Sequence, residues 1–313
     1  MKYLIGILAA LLILFGSGAC RQAKPKTEDY RLKVVSVIFP SYDFVRAIAA
    51  DRVNLVLLLP PGAESHSYEP SPRDIITIRG CDLFIYSGGE SSKWVDNILE
   101  SPELSEAGMR VLKLMDLALT VEEEIVEGME EGEDEGSSSF DEHVWTSPLN
   151  AKAIVLAIGE VLCELDPANM EFFRKNTADY LASLDELDAL FRETVKRAVR
   201  DTVVFGDRFP FRYLADAYGL SYFAAFPGCS TETEPSAATV AFLINKVKSE
   251  NIPAIFHIEL SGGKMADTIS EATGAEKLLL HSGHNLTKKD FESGATYLDL
   301  QKANVINLRK ALW

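Results

Sequence analysis

Five histidines occur among the 313 residues, and every one sits in or beside a loop that could reach a single cleft. They are His66 in PGAESHSYEPSP, His143 in DEHVWTSP, His257 in IFHIEL, and His281 with His284 in LLLHSGHN. Neutral imidazole is the commonest protein ligand for zinc, copper and nickel. Histidines this few, each next to small, polar or proline residues at the end of an apolar run, suggest a metal site. The bland alternative is five unrelated surface or core histidines. The cysteines add no thiolate site, because Cys20, Cys81, Cys163 and Cys229 show no CxxC spacing and, apart from Cys20, are odd in number. Cys81 and Cys163 lie among apolar residues and read as small core fillers. Cys229, in FPGCST, is the exception to watch.

The elements that must position these residues alternate in type. Runs at 34–39, 53–59, 82–87 and 111–114 are short, apolar and bounded by turn residues, as buried strands are. Between them, 41–50, 71–79 and 91–99 carry helical spacing. A second set of strands is expected at 202–205, 221–226, 254–258 and 277–280, separated by helices near 210–218, 236–250, 263–273 and 288–312. Strand–helix alternation implies mostly parallel sheets with helices on both faces, and ligands bind at the carboxyl ends of such strands. Between the two sets, 171–199 contains no glycine or proline, and Phe172, Tyr180, Leu184, Leu187, Leu190 and Phe191 form an apolar stripe at helical spacing. One long helix there, started at Asp166-Pro167, predicts a rigid bridge between two α/β lobes with limited hinge motion. The expected organisation is therefore an N-terminal lobe at 33–166, a connecting helix at 167–200 and a C-terminal lobe at 201–313.

The chain's ends and charge bound its setting. A lysine at position 2, an apolar run at 3–15 and the small residues of Gly16-Ser17-Gly18-Ala19 before Cys20 make a secretory signal over 1–19, too short to be a good membrane span. Cysteine directly after small residues looks like a bacterial lipoprotein processing site, so Cys20 is expected to carry the lipid and 20–32 to be a tether. The formal net charge of −16 argues against nucleic acid as a partner. The stretch at 121–142 is rich in acidic residues, Gly and Ser, and reads as a solvated loop that runs straight into His143.

The residues around the histidines carry a resemblance. PPGAESHSYEPSPRDI followed by CDLFIYSGGESSKWVDN, then DEHVWTSPLNAKAI, STETEPSAATVAFL and TGAEKLLLHSGHN, resemble in order the motifs of extracytoplasmic receptors of zinc and manganese ABC importers. The likeness runs from about Lys33 to Leu312. It implies two α/β lobes bridged by one long helix, with a divalent metal in the cleft between them. It also implies His66 and His143 as the first two ligands. The third family position, usually His or Glu, falls by strict counting on Arg208, which cannot ligate, so Asp207 is expected to serve through a local shift of the turn; a helix cap is its alternative role. The fourth, commonly Asp, falls on His281. His284 is then an alternate or supporting residue, Glu259 a supporting carboxylate, and His257 a neighbour.

Three imidazoles with one carboxylate suit zinc, which accepts four donors, better than manganese, which favours oxygen and higher coordination. Manganese is the alternative cargo. The resemblance implies capture and delivery without catalysis: a monomeric lipoprotein on the outer face of the bacterial cell membrane that hands its ion to an ABC permease driven by a separate ATPase. Affinity should fall in acid, because protonated imidazole binds no metal. Rival readings are a secreted zinc hydrolase, with Glu259 as its base but no HExxH motif, and a surface adhesin on the same fold.

Overall fold

The architecture is given by a computed structural model that describes residues 30–105, 108–129, 140–230 and 235–313. The signal segment, Cys20, most of the tether and the centre of the acidic loop lie outside the described residues.

Strands β1 (Leu32–Ser36), β2 (Val53–Leu57), β3 (Leu83–Tyr86) and β4 (Arg110–Lys113) form a fully parallel sheet in the order β2-β1-β3-β4. Helices α1 (Phe39–Ala49), α2 (Pro72–Arg79) and α3 (Lys93–Leu99) follow β1, β2 and β3 in turn. Helix α2 is fixed at its start by a capping box between Ser71 and Asp74, a device typically worth about 1 kcal/mol.

Helix α4 (Pro148–Leu165) was not among the elements that periodicity picks out, and its burial says why. Ala151, Ile154, Val155, Ile158, Gly159 and Leu162 form one buried face, but the solvent side carries Leu149 and Leu156, 40% and 46% exposed, so the sequence itself shows no clean stripe. The bridge α5 (Met170–Lys196) is one 27-residue helix, entered through a short turn at Pro167–Asn169. Phe173, Tyr180, Leu184, Leu187 and Phe191 line its buried face, against α1, α4 and the C-terminal helix.

The second lobe has shorter strands. β5 (Thr202–Val204) pairs in parallel with β7 (Ser221–Phe223), and β9 (Ala254–His257) with β10 (Glu276–Leu279). A parallel bridge from Phe205 to Phe256 joins the two pairs. Two-residue strands β6 (Arg208–Phe209) and β8 (Phe226–Pro227) pair beside them. Helices α6 (Arg212–Tyr218), α7 (Ala237–Ser249) and α8 (Lys264–Thr273) connect these strands. The helix expected at 288–312 is two: α9 (Lys288–Glu292) and α10 (Tyr297–Leu312). Gly294 at φ +80 ends the first, and a Thr296–Asp299 capping box starts the second.

A continuous apolar core runs from Val34 and Phe44 through Leu184 and Phe205 to Leu308, and Arg31–Trp313 is one compact unit. The mixed α/β architecture with parallel sheets and one long helix is the one expected. No helix among the described residues is long and apolar enough to cross a membrane.

Candidate metal centre

His66 lies on the loop between β2 and α2, His143 at the turn leading into α4, and His284 on the loop between β10 and α9. Their ring centroids stand 6.0 Å (His66–His143), 5.6 Å (His66–His284) and 5.4 Å (His143–His284) apart. One donor atom from each, with a carboxylate oxygen of Glu142, falls within 4.8 Å of all the others. Tetrahedral zinc with nitrogens at 2.0–2.1 Å needs donors about 3.3 Å apart, so rotations of ångström scale would close the set.

The loops that carry the rings are pinned to each other. The Asn285 side-chain amide donates to the carbonyls of Pro60 (2.8 Å) and Ala63 (2.9 Å), and the Gly62 N–H donates to Leu286 O (2.7 Å). Gly62 sits at φ +88, which lets the chain turn sharply before His66. Trp145, fully buried, packs edge-on to His143 and His284 and donates from Nε1 to Ser282 O at 2.9 Å. Its own carbonyl accepts from the Tyr297 hydroxyl on α10.

Second contacts set the tautomers. Asp141 Oδ1 lies 2.9 Å from His143 Nδ1 and also accepts the His143 backbone N–H at 2.7 Å. Nδ1–H therefore donates to the carboxylate, and Nε2 is free for a metal. His284 Nδ1 lies 3.1 Å from Ser65 Oγ, while its Nε2 is buried with no hydrogen-bond partner. A buried orphan nitrogen is costly unless something fills the place beside it.

Protonation follows the same geometry. Burial, aided by the charges of His143 and Arg208, pushes His66 down to about 3. Burial and the same neighbours, with His66, hold His284 well below the ordinary range. Burial would depress His143 too, but the adjoining Asp141 carboxylate outweighs it and raises the ring's pKa. Burial also raises Glu142, whose two oxygens accept from the backbone N–H and hydroxyl of Ser91.

A small cavity of about 30 Å³, room for one ion or water, is lined by His66, His143, His284, Glu64, Arg208 and Glu259 among others. Glu142 is not among the residues that line it, although its carboxylate oxygen lies within 4.8 Å of the three ring donors. Gly228 belongs to the same wall, where a Cβ would come within 3.3 Å of His143 Cε1.

Of the remaining expected residues Glu259 lines the cavity, and the others lie outside the cluster. Asp207 is outside the cluster and caps no helix: its carboxylate accepts from the Arg208 N–H (2.9 Å), the Ile258 N–H (3.2 Å) and the Ser261 hydroxyl, tying the turn after β9. His281 is also outside it, with its backbone clamped by Asn304, which accepts its N–H (2.7 Å) and donates to its carbonyl (2.8 Å). Its Nδ1 is buried without a partner. His257 turns Nδ1 to Ile258 O at 3.1 Å, and burial with nearby Lys277 lowers its pKa. Glu259 accepts from the Ser282 N–H (2.7 Å) and hydroxyl (2.6 Å), bracing the loop that carries His284. Burial raises the Cys229 thiol far above its ordinary value, and its N–H donates to Glu123. Sequence reasoning passed over Ser65, since no spacing marks it.

Comparison with known proteins agrees with this geometry. A family model described as "Zinc-uptake complex component A periplasmic" matches residues 34–311. The chain is 34% identical over 311 residues to the high-affinity zinc uptake system protein ZnuA of Bacillus subtilis, covering 98% of this chain and 96% of that protein. It is 32% identical to the zinc-binding lipoprotein AdcA of Streptococcus pneumoniae, spanning 99% of this chain but 61% of that longer relative. The crystal structure of the Zn(II)-bound ZnuA-like domain of Streptococcus pneumoniae AdcA superposes with a TM-score of 0.75 at 30% identity, over 90% of this chain and 99% of that domain. The chain thus belongs to the family of periplasmic A components of zinc-uptake complexes.

Proposed function

We propose that this chain captures zinc outside the cytoplasmic membrane and delivers it to an ABC permease, as a receptor and not as an enzyme. The observation that carries the reading is the convergence of three imidazoles, from three loops, on one ion-sized cavity. The zinc ligands in this reading are His66, His143 and His284. His284 takes the role that the sequence alone gave to His281, and Asp207 is left to brace the turn after β9. Glu142 adds a carboxylate oxygen within 4.8 Å of the three ring donors, held there by Ser91.

Three nitrogen donors favour zinc over manganese, which is harder and seeks oxygen. The buried Nε2 of His284, without a hydrogen-bond partner among the described residues, is a donor that a bound metal would satisfy. Low pKa values at His66 and His284 keep both rings neutral and ready to bind. In the cell the chain would be tethered by a lipid on Cys20, act as a monomer, and release zinc when the permease parts the lobes.

Chelator-stripped protein should rebind about one zinc per chain, with zinc outcompeting manganese and a rise in melting temperature that follows zinc concentration. If His66→Ala with His143→Ala left zinc stoichiometry and affinity untouched, the reading would fail.

A further inference from the structure

Arg208 shares the wall of the metal cavity with the three imidazoles. It lines that cavity together with Glu64, and the same two residues line a second cavity of about 640 Å³ that His66 also borders. Zinc on three neutral rings is dicationic, and the carboxylates of Glu64 and Glu259 in the cavity wall already oppose that charge and the guanidinium's. What the wall leaves open is hydrogen bonding: Glu64 Oε2, at 3.2 Å from Arg208 Nη2, engages one donor of the guanidinium. The other contact of Arg208 is Nη1 to Ser230 O at 3.2 Å, so two of its five N–H donors are used. The guanidinium is only 12% exposed and thus held in place, while Glu64 is 39% exposed and free to give way.

The larger cavity has the size of a small-molecule site. Phe226, Val240, Leu260 and Met265 give it apolar wall. Lys264, which makes no ion pair among the described residues, opens α8 at its rim. Asp207 also lines it, but its carboxylate is already engaged by three donors. Lys264 and the unengaged N–H donors of Arg208 thus face the space, and Arg208 borders the metal cavity as well.

We propose that Arg208 binds a carboxylate of a small chelator, which completes zinc's coordination beside His66, His143 and His284 while the chelator's body fills the adjoining cavity. The cargo is then a zinc–carboxylate complex and not the bare ion. This rests on the zinc-capture reading above. Guanidinium and carboxylate pair in a planar, bidentate fashion, which leaves the carboxylate's outer lone pairs directed at the metal. No covalent step is involved, since the chelator enters and leaves with the ion.

The test is equilibrium dialysis of the full chain with zinc and, in separate arms, radiolabelled acetate, citrate and free histidine. Zinc and anion are both counted. The proposal predicts that at least one of these anions is retained at about one per zinc, tightening zinc binding at fixed free zinc by tenfold or more. Arg208→Met should still bind zinc but lose both the retained anion and the tightening, and Glu64→Gln, which frees the guanidinium, should retain more anion. In cobalt-substituted protein the visible spectrum should shift on adding the anion to the wild type and stay unchanged in Arg208→Met. Zinc bound with none of the three anions retained would overturn the proposal and leave zinc capture standing. No zinc bound in any arm would instead overturn the zinc reading on which it rests.

Discussion

Replacing Asp141 should separate the two ways in which a buried carboxylate serves the metal centre. Asp141 Oδ1 touches His143 twice, at the ring Nδ1 (2.9 Å) and at the backbone N–H (2.7 Å). Asp141→Asn keeps an acceptor in place and loses the charge; Asp141→Ala loses both contacts. Supporting partners of ligating histidines are worth about 10–100-fold in metal affinity. The asparagine variant belongs near the tenfold end and the alanine variant near the hundredfold end.

The pH profile moves in the opposite sense. His143 is raised by Asp141, whereas His66 sits at about 3 and His284 lies well below the ordinary range. As pH falls below the raised pKa of His143, zinc must displace that ring's proton, and affinity drops about tenfold per pH unit. Without Asp141 the ring loses the largest of the causes that raise it, leaving Glu142 and Glu123 against the burial that depresses it, so the acid decline should begin at a lower pH. Competition titration with a fluorescent zinc chelator across the pH range reads both effects. A tenfold loss is about 1.4 kcal/mol and should trim the zinc-induced rise in melting temperature by roughly 3–6 °C. Unchanged affinity together with an unchanged pH profile in a folded Asp141→Ala protein would refute the role given to Asp141 and the ligand role of His143.

Other outcomes follow from the same contacts. His284→Ala should weaken zinc binding by more than about a hundredfold, beyond the range of a supporting residue, whereas His281→Ala should change it little; titration of the pair decides which histidine binds. Asn285→Ala strands the carbonyls of Pro60 and Ala63, so chemical denaturation should show a loss of about 1–3 kcal/mol and zinc binding should weaken with it. Gly228→Ala brings a Cβ to 3.0 Å from Phe209 O and 3.3 Å from His143 Cε1; a several-fold loss of affinity without loss of fold is expected from the displaced ring.

Much of the fold was legible because its physics is local. Short apolar runs bounded by turn residues gave parallel strands close to their observed limits, and the glycine-free stripe from Phe172 to Phe191 gave the bridge. Helix α4 escaped because Leu149 and Leu156 on its exposed side blur the periodicity that marks an amphipathic helix. The break before Tyr297 escaped because Gly294 and the Thr296–Asp299 box are weak signals inside a long helical pattern. At the site, His66 and His143 were accessible as residue types in the right loops. The competition among Asp207, His281 and His284 was not, because it turns on long-range contacts, Asn304 on the His281 backbone and Ser261 on the Asp207 carboxylate. A strand end and the residues just beyond it point to different places, and spacing alone cannot say which faces the cleft. Arg208 illustrates the limit further: counting marked it as unable to ligate, yet it lines the cavity, where its charge has consequences of its own.

The central claim is that three imidazoles from three loops hold the zinc, and anomalous scattering at the zinc edge from zinc-loaded crystals tests it most directly. The account predicts a single strong peak about 2.0–2.1 Å from imidazole nitrogens of His66, His143 and His284. A peak bonded to Asp207 and His281, with His284 out of reach, would contradict it.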